Sequence, residues 1–599
     1  MMKRAVYFCA MVGGLVGYGE AASIRELYFT PAGRLGIILV AVFMYALYGA
    51  VACLVIYPLW RRLRRASPWR AAVSSSVMAW CLLYGLGYLV ISRLMHREAH
   101  RFLMWGAAVL VASVAISFLA GGAFGRVLKG KRSLYAGAVI FAALTVWMVF
   151  PVGRPSAPPG ELPNIILVTI DTIRSDRLHC YGNDRVRTPV LDRLASEGVL
   201  FENAVSQIPI TNPSHLSILS STYPHQHGVV ENWHRHSDDI PKIVHELGRL
   251  GYRTAAFVSS FTLDSRFGFS DGFEIYDDDF SRLKGYQSLT LVRVIDSILG
   301  ITGGRLERIA GRTNDDAVSW LRRIARQPYF LWVHYYDPHG PYAPPPPYSG
   351  MYYEGRKDDP ANRSMDGVEM PLYWPPTIRD FTDIAYPIAQ YDAEVTYTDA
   401  QIGRLLEEID SRSGDTILVV VGDHGESLDE RGYYFRHGDY LYDDQVKVPM
   451  IIRHGKSGEP VRVGAVVQTI DIVPTLLDLA GLEAPGWCSG RSLVPLMKGE
   501  NAGPGEGLSE TRRQGDESIL DVACYDGGYK LIVRPGKETR LFDLRKDPGE
   551  LRDISGERED LVLKLKERIA SVMTAPTARG VPLMDRETQE RLKSLGYIQ

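Results

Sequence analysis

Residues 164–171 read NIILVTID, seven strand-forming residues ending on a single carboxylate. A short, nearly continuous apolar run of this kind is what a buried strand of an α/β sheet requires. Residues 416–424 repeat the device as TILVVVGDH, with an Asp-His pair after the apolar run. Further strands are predicted over Leu200 to Glu202, Ala255 to Val258 and Tyr329 to His334. Helical patterns lie between them. Thr188 before Pro189 predicts a capped helix running to about Gly198, and YDAEVTYTDAQIGRLLEEI from Tyr391 has the spacing of an amphipathic helix. Alternating strands and helices predict an α/β domain with a parallel sheet. In open sheets of that class, ligand groups gather beyond the carboxyl ends of the strands. Asp171, His334 and Asp423 all fall there.

The chain has 599 residues and a formal charge of −2, and neither figure describes its two halves. Long apolar stretches run over Ala5 to Gly19, Leu35 to Trp60, Ala71 to Ser92, Leu103 to Phe124 and Tyr135 to Val152. Most approach the roughly 20 residues that cross a bilayer. The first is short and Gly-rich, so an uncleaved signal-like anchor is the alternative to a span there. Basic residues cluster in alternate loops, at Lys3 and Arg4, at Arg61 to Arg70, and at Arg126 to Arg132. By the positive-inside rule the N-terminus is cytoplasmic, and about five crossings place everything after Val152 outside, in the periplasm or extracellular space. The expected organisation is a bundle of about five transmembrane helices over residues 1–152 and a Pro-rich linker over 153–162. An α/β catalytic domain over 163–485 follows, then a smaller C-terminal sheet subdomain and tail over 486–599. Of six cysteines, Cys180, Cys488 and Cys524 lie in the exported half, where Cys488 and Cys524 can pair. No Cys-x-x-Cys and no Cys/His zinc spacing occurs.

Residues 211–228, TNPSHLSILSSTYPHQHG, carry the chemistry. The run resembles the sulfatase signature of the alkaline phosphatase superfamily, in which a Cys or Ser precedes x-Pro-Ser-Arg, with Tyr-Pro-His and His-Gly a few residues on. Here the five positions are Thr211, Asn212, Pro213, Ser214 and His215. Thr211 thus stands where family members carry the residue converted to formylglycine. A threonine hydroxyl cannot become that aldehyde, so the resemblance implies a metal-activated alcohol nucleophile, as in phosphodiesterases and phosphoethanolamine or phosphoglycerol transferases of the superfamily. Asp171 in IDTIRSDRLHCYG, Thr211, and Asp423 with His424 in VVVGDHGES resemble the family's metal positions. They imply one divalent ion, with Zn or Mn favoured by the imidazole and Ca or Mg as alternatives. His339 in HYYDPHGPY and His437 in FRHGDYLYDD resemble substrate-side groups, and His215 replaces the signature Arg. Any of the three can donate to an anionic oxygen or act as general acid. Arg174 and Asp176 are expected to pair with each other. His225, His227, His234 and His236 have no ligand spacing that supports a second metal.

Departures from the family pattern bear on the substrate. Asp171 is followed by Thr172 where many sulfatases have a second Asp. Val258, Ser259, Ser260 and Phe261 occupy the place of a Gly-Lys-Trp-His. Segments such as VGAVVQTIDIVPTLLDLAGL from Val463, GRSLVPLMKGE from Gly490 and LFDLRKDPGEL from Leu541 continue the resemblance to about Ile554. Taken together, the expectation is a membrane-anchored hydrolase cleaving a sulfate or phosphate ester through Thr211. The substrate is an anionic ester, with a lipid or glycan as the candidate carrier, and no nucleic-acid partner is expected. Transfer of the group to a second alcohol is the alternative, and a membrane-anchored binding protein with an inactive site is the third reading.

Overall fold

The computed structural model describes residues 162–280, 307–573 and 581–582, apart from 325–326, 372–373, 375–379, 413, 456–459, 501–502, 504 and 514–515. The five apolar stretches and all of the linker but Leu162 lie outside the described residues. Among the described residues, no helix is long and apolar enough to cross a membrane.

Eight strands form the large sheet: β1 (Asn164–Ile170), β2 (Val199–Val205), β3 (Arg253–Phe257), β4 (Ile275–Asp277), β5 (Tyr329–Tyr335), β6 (Thr416–Gly422), β7 (Lys447–His454) and β8 (Val461–Gln468). Their order across the sheet is β4-β3-β5-β1-β6-β7-β2-β8. β1 sits between β5 and β6 and is parallel to both, with Thr169 level with His334 and Val421. The sheet is mixed rather than parallel throughout, because β7 runs antiparallel to β6 and to β2. A period-two apolar pattern reports burial and carries no sign of direction, so KVPMIIRH could not announce its reversal.

Side chains at alternate positions of the central strands face opposite layers. Ile165, Leu167, Trp332, Val419 and Val421 share a core with helices α2 (Thr211–Ser220), α3 (Ile243–Arg249) and α6 (Ile472–Leu479), whereas α4 (Ala310–Leu321) packs on β5 and on α5 (Ala385–Asp410). Helix α1 (Pro189–Glu197) packs against α5. Thr188 does precede α1, but its hydroxyl accepts from the His179 amide at 3.1 Å. The first-turn amides of Val190 and Leu191 donate instead to the Asp399 carboxylate on α5, at 3.1 and 2.8 Å. A local capping signal has been displaced by a long-range one.

A second, antiparallel sheet has the order β9-β10-β11-β12, formed by β9 (Glu506–Arg513), β10 (Asp516–Asp526), β11 (Tyr529–Arg534) and β12 (Glu538–Asp543). Helix α7 (Glu559–Val572) covers it through Leu565. Cys488 and Cys524 do not pair; both are free thiols. Cys524 is buried with Leu531, Leu541 and Leu565 of the small sheet, while Cys488 packs on the core of the large one.

Candidate active site

Asp171 and Asp423 are the first residues beyond β1 and β6, which run side by side, so strand pairing alone brings the two carboxylates together. The Asp423 amide donates to the Ile170 carbonyl, and the Asp171 amide to that of Tyr335 on β5. Asp423 divides its carboxylate. Oδ1 accepts the backbone amides of His424 at 2.6 Å and Thr172 at 3.2 Å, while Oδ2 is buried with no hydrogen-bond partner. Both carboxylate oxygens of Asp171 are also buried and unpartnered. Thr172 presents its amide from a backbone at φ +50°, a costly conformation for a β-branched residue and one found mainly at functional sites. Its carbonyl is held by the Tyr391 hydroxyl.

His424 completes the cluster. Nδ1 donates to the Gly425 carbonyl at 2.9 Å, which leaves Nε2 as the lone-pair nitrogen. That Nε2 lies 3.8 Å from Asp171 Oδ1, 3.5 Å from Asp423 Oδ2 and 3.3 Å from the Thr211 hydroxyl. One ligand atom from each of Asp171, Asp423 and His424 falls within 4.8 Å of the others, and no other such cluster exists among the described residues. Burial pushes the Asp171 carboxyl up to about 6, and it raises Asp423 further, with repulsion from Asp171 adding to the effect. Buried carboxylate oxygens without donors are costly alone and are the normal partners of a cation. The donor set of two carboxylates, one imidazole and one hydroxyl fits a divalent metal.

Thr211 is the first residue of α2 and is fully buried. Its helix is tied to the loop after β6 by Ser214, whose hydroxyl donates to the Asp423 carbonyl at 2.7 Å. His215, one turn on, has Nδ1 2.8 Å from the Thr211 carbonyl and Nε2 3.0 Å from the Thr169 hydroxyl. Both nitrogens face protein oxygens, and Nδ1 is 3.5 Å from Asp423 Oδ2. The structure therefore places His215 against the backbone of Thr211, with both nitrogens engaged by the protein. Burial, then the neighbouring His334, keeps it neutral.

His339 and His437 adjoin each other and the cluster. Their rings lie 5.2 Å apart, and the His437 ring is 4.5 Å from that of His424. His339 Nδ1 donates to the Gly340 carbonyl at 2.6 Å while its ring stacks on Tyr336. His437 Nδ1 faces Glu426 Oε1 at 3.1 Å. Burial lowers both, His437 to about 4, against the opposing pull of Asp171.

One group escaped the sequence reading, and two that it named make contacts beyond those expected. Glu426, two residues after His424, is fully buried, is pushed up to about 7 by desolvation, and joins His437 to the Tyr342 hydroxyl. An acidic residue directly after Asp-His-Gly was the available signal. His334 reaches within 3.6 Å of Asp171 Oδ2. Arg174 pairs with Asp176 at 2.8 Å, as expected, and also with Glu430 at 2.6 Å and the Glu426 carbonyl at 3.1 Å. His225, His227, His234 and His236 form no metal cluster. His225 is held by Glu510 and His227 by Ser217.

Residues 163–482 match the family model described as Sulfatase, more than half of the chain, and residues 429–575 match that described as N-sulphoglucosamine sulphohydrolase, C-terminal. The chain belongs to the sulfatase family. An arylsulfatase of Clostridium perfringens (strain 13 / Type A) is 27% identical over 462 residues, covering 68% of this chain and 92% of its own. An N-acetylglucosamine-6-O-sulfatase of Bacteroides thetaiotaomicron is 24% identical over 491 residues, covering 68% and 85%. Among solved structures, a phosphonate monoester hydrolase of Agrobacterium radiobacter shares the fold with a TM-score of 0.55 at 20% identity, covering 68% of this chain and 95% of its own. As a sulfatase-family member the protein is an ester hydrolase, and the second sheet corresponds to part of the family's C-terminal region.

Proposed function

We propose that this sulfatase-family protein is a membrane-anchored hydrolase with its active site outside the cytoplasm, and that it cleaves a sulfate or phosphate ester through a covalent intermediate on Thr211. One observation carries the reading. The Thr211 hydroxyl faces His424 Nε2 at 3.3 Å, beside two buried carboxylates whose inward oxygens have no protein donor. Asp171, Asp423 and His424 would hold a divalent cation, which would supply the positive charge that favours the deprotonated Thr211 hydroxyl at neutral pH.

The remaining steps belong to the chain. Thr211 Oγ bonds to the sulfur or phosphorus, and the bond to the departing alcohol oxygen breaks. That oxygen takes its proton from the His339 and His437 side, where Glu426 fixes the His437 ring through Nδ1 and directs Nε2 inward. Burial keeps both imidazoles neutral in the free enzyme, and the arriving anion favours their charged forms. Water then adds to the sulfur or phosphorus and releases Thr211 Oγ. His215 holds the first turn of α2 through the Thr211 carbonyl and so fixes where the Thr211 hydroxyl stands. The glycan esters suggested by the Bacteroides relative's name, and lipid esters presented at the membrane, are the substrate classes to test.

Transfer to a second alcohol is the other reading that Thr211 supports, since an ester on a threonine hydroxyl persists until an acceptor resolves it. Incubation of the full chain in detergent with aryl sulfate, aryl phosphate and aryl phosphodiester, with Zn or Mn, tests both. The expected result is metal-dependent release of the phenol, with the added mass of the transferred group on Thr211 by intact-mass analysis. Capture by added glycerol in preference to water would identify a transferase. Absence of both turnover and adduct would leave the inactive binding protein.

A further inference from the structure

The small sheet touches the site through one edge strand. Ser509, Glu510 and Thr511, consecutive residues of β9, are all buried, and each bonds to a loop of the large domain. The Ser509 hydroxyl donates to the Ser206 carbonyl at 2.5 Å, and the Glu510 amide to the Gln207 carbonyl at 2.7 Å. The Glu510 carboxylate receives the His225 backbone amide and lies 3.1 Å from its Nδ1. Thr511 Oγ1 donates to the Gly438 carbonyl at 2.6 Å.

The last contact has consequences for the chemistry. Gly438 follows His437 and sits at φ +104°, a conformation that needs glycine. Its amide is held by Gln445 Oε1 at 3.0 Å, and Gln445 Nε2 is bound in turn to the Ser427 hydroxyl. Gly438 is thus held at both ends, by the large domain through its N–H and by the small sheet through its C=O, while the His437 carbonyl accepts the Tyr433 hydroxyl at 3.1 Å. Among the described residues, the His437 ring is oriented by Glu426 at Nδ1 and by the neighbouring rings of His424 and His339. With the side chain guided at one nitrogen, its position depends on where the backbone is pinned. A misplacement of about 1 Å in a proton donor is enough to cost on the order of 100-fold in rate.

We propose that Thr511 is a positioning residue of the ester-cleaving site, and that it acts through the Gly438 carbonyl to set the His437 imidazole against the leaving-group oxygen. The inference rests on the proposed role of His437. It assigns the small sheet a share in catalysis beyond closing the fold.

A double-mutant cycle on the full chain in detergent tests it, with phenyl sulfate, phenyl phosphate and phenyl methyl phosphate as probes, since phenolate is a poor enough leaving group to need a proton. Thr511→Val keeps the shape and deletes the donor. We expect kcat to fall about 10-fold or more with KM within about twofold, Thr511→Ser to recover most of the loss, and Thr511→Val to add nothing once His437→Ala is present. An equal loss from Thr511→Val in the parent and in the His437→Ala background would overturn the proposal, as would a change confined to KM. If His437→Ala itself retains parental kcat, the role of His437 is wrong and the inference falls with it, a result read from that single variant. Thr511→Cys, with a weaker donor and similar size, replaces Thr511→Val in the cycle if the valine variant does not fold, with the same non-additivity required.

Discussion

The Thr211 hydroxyl lies 3.3 Å from Nε2 of His424, a residue 213 positions further along the chain. The two meet because Thr211 opens α2 and His424 follows β6, and Ser214 bonds the carbonyl of Asp423 to fix one segment against the other. The proposed nucleophile and the proposed ligand nitrogen are therefore held against each other by the fold before any substrate arrives.

Deleting the hydroxyl at that contact should remove the attacking atom. Thr211→Ala is expected to lower kcat by roughly a thousandfold or more, while Thr211→Ser retains measurable turnover. Thr211→Cys gives a second readout. His215 stands where the maturation signature has Arg, so intact-mass analysis should show an unconverted thiol. Full activity in Thr211→Ala would remove the mechanism.

Metal binding should depend on the orphaned carboxylates. Asp423→Ala combined with His424→Ala leaves only Asp171 and Thr211, and equilibrium dialysis should show Zn or Mn affinity reduced at least 100-fold. Circular dichroism should remain parental, because the pair sits beyond the end of β6. Unchanged stoichiometry would refute the assignment.

Gly425 cannot accept a side chain. A Cβ there would stand 2.2 Å from the Asp444 carbonyl oxygen, on a peptide whose amide is already bonded to Gln445. Gly425→Ala should cost about 1–3 kcal/mol of stability through forced backbone displacement, and should weaken metal binding because His424 moves with it. Thermal melting with and without Zn separates the two effects.

Asp399 offers a pH test away from the site. It caps α1, yet burial pushes its carboxyl up to about 7. Its folded value exceeds its unfolded one, so the fold binds more protons between about pH 4 and 7. Stability from this group is complete below the lower value and is lost as pH rises through the upper one. Asp399→Asn keeps an acceptor for α1 and cannot ionise. Relative to the parent it should gain about 2 kcal/mol between pH 5 and pH 8, seen as a melting difference that moves in its favour. A difference constant with pH would contradict the burial argument.

The charge alternation from Lys3 to Arg132 predicts topology. A reporter active only outside the cytoplasm should be on when fused after Pro163 and off when fused near Arg65. The reverse pattern would invert both the orientation and the compartment.

Much of the site was legible because its parts are local. Apolar runs ending in Asp171 and Asp423 mark strand ends in one dimension, and Thr211 before Asn-Pro-Ser-His is a contiguous pattern. The reversal of β7 and the cap that Asp399 provides to α1 were not legible, since each depends on a partner chosen in three dimensions. Glu426 was passed over for a related reason. Its side chain has no role until His437 and Tyr342 are folded against it.

The sequence alone determined which functional groups this protein possesses. It carries a threonine alcohol in place of an oxidisable residue, and two carboxylates and an imidazole beyond apolar strands. Tertiary structure decided what those groups can do. Tautomer and charge follow from burial and from contacts across 200 residues or more. The lone pair of His424 is exposed inward only because Gly425 takes the other nitrogen, and the carboxylate oxygens are costly only because folding has removed water from them. Neither desolvation nor orientation is a property of a residue. Both belong to the packed arrangement.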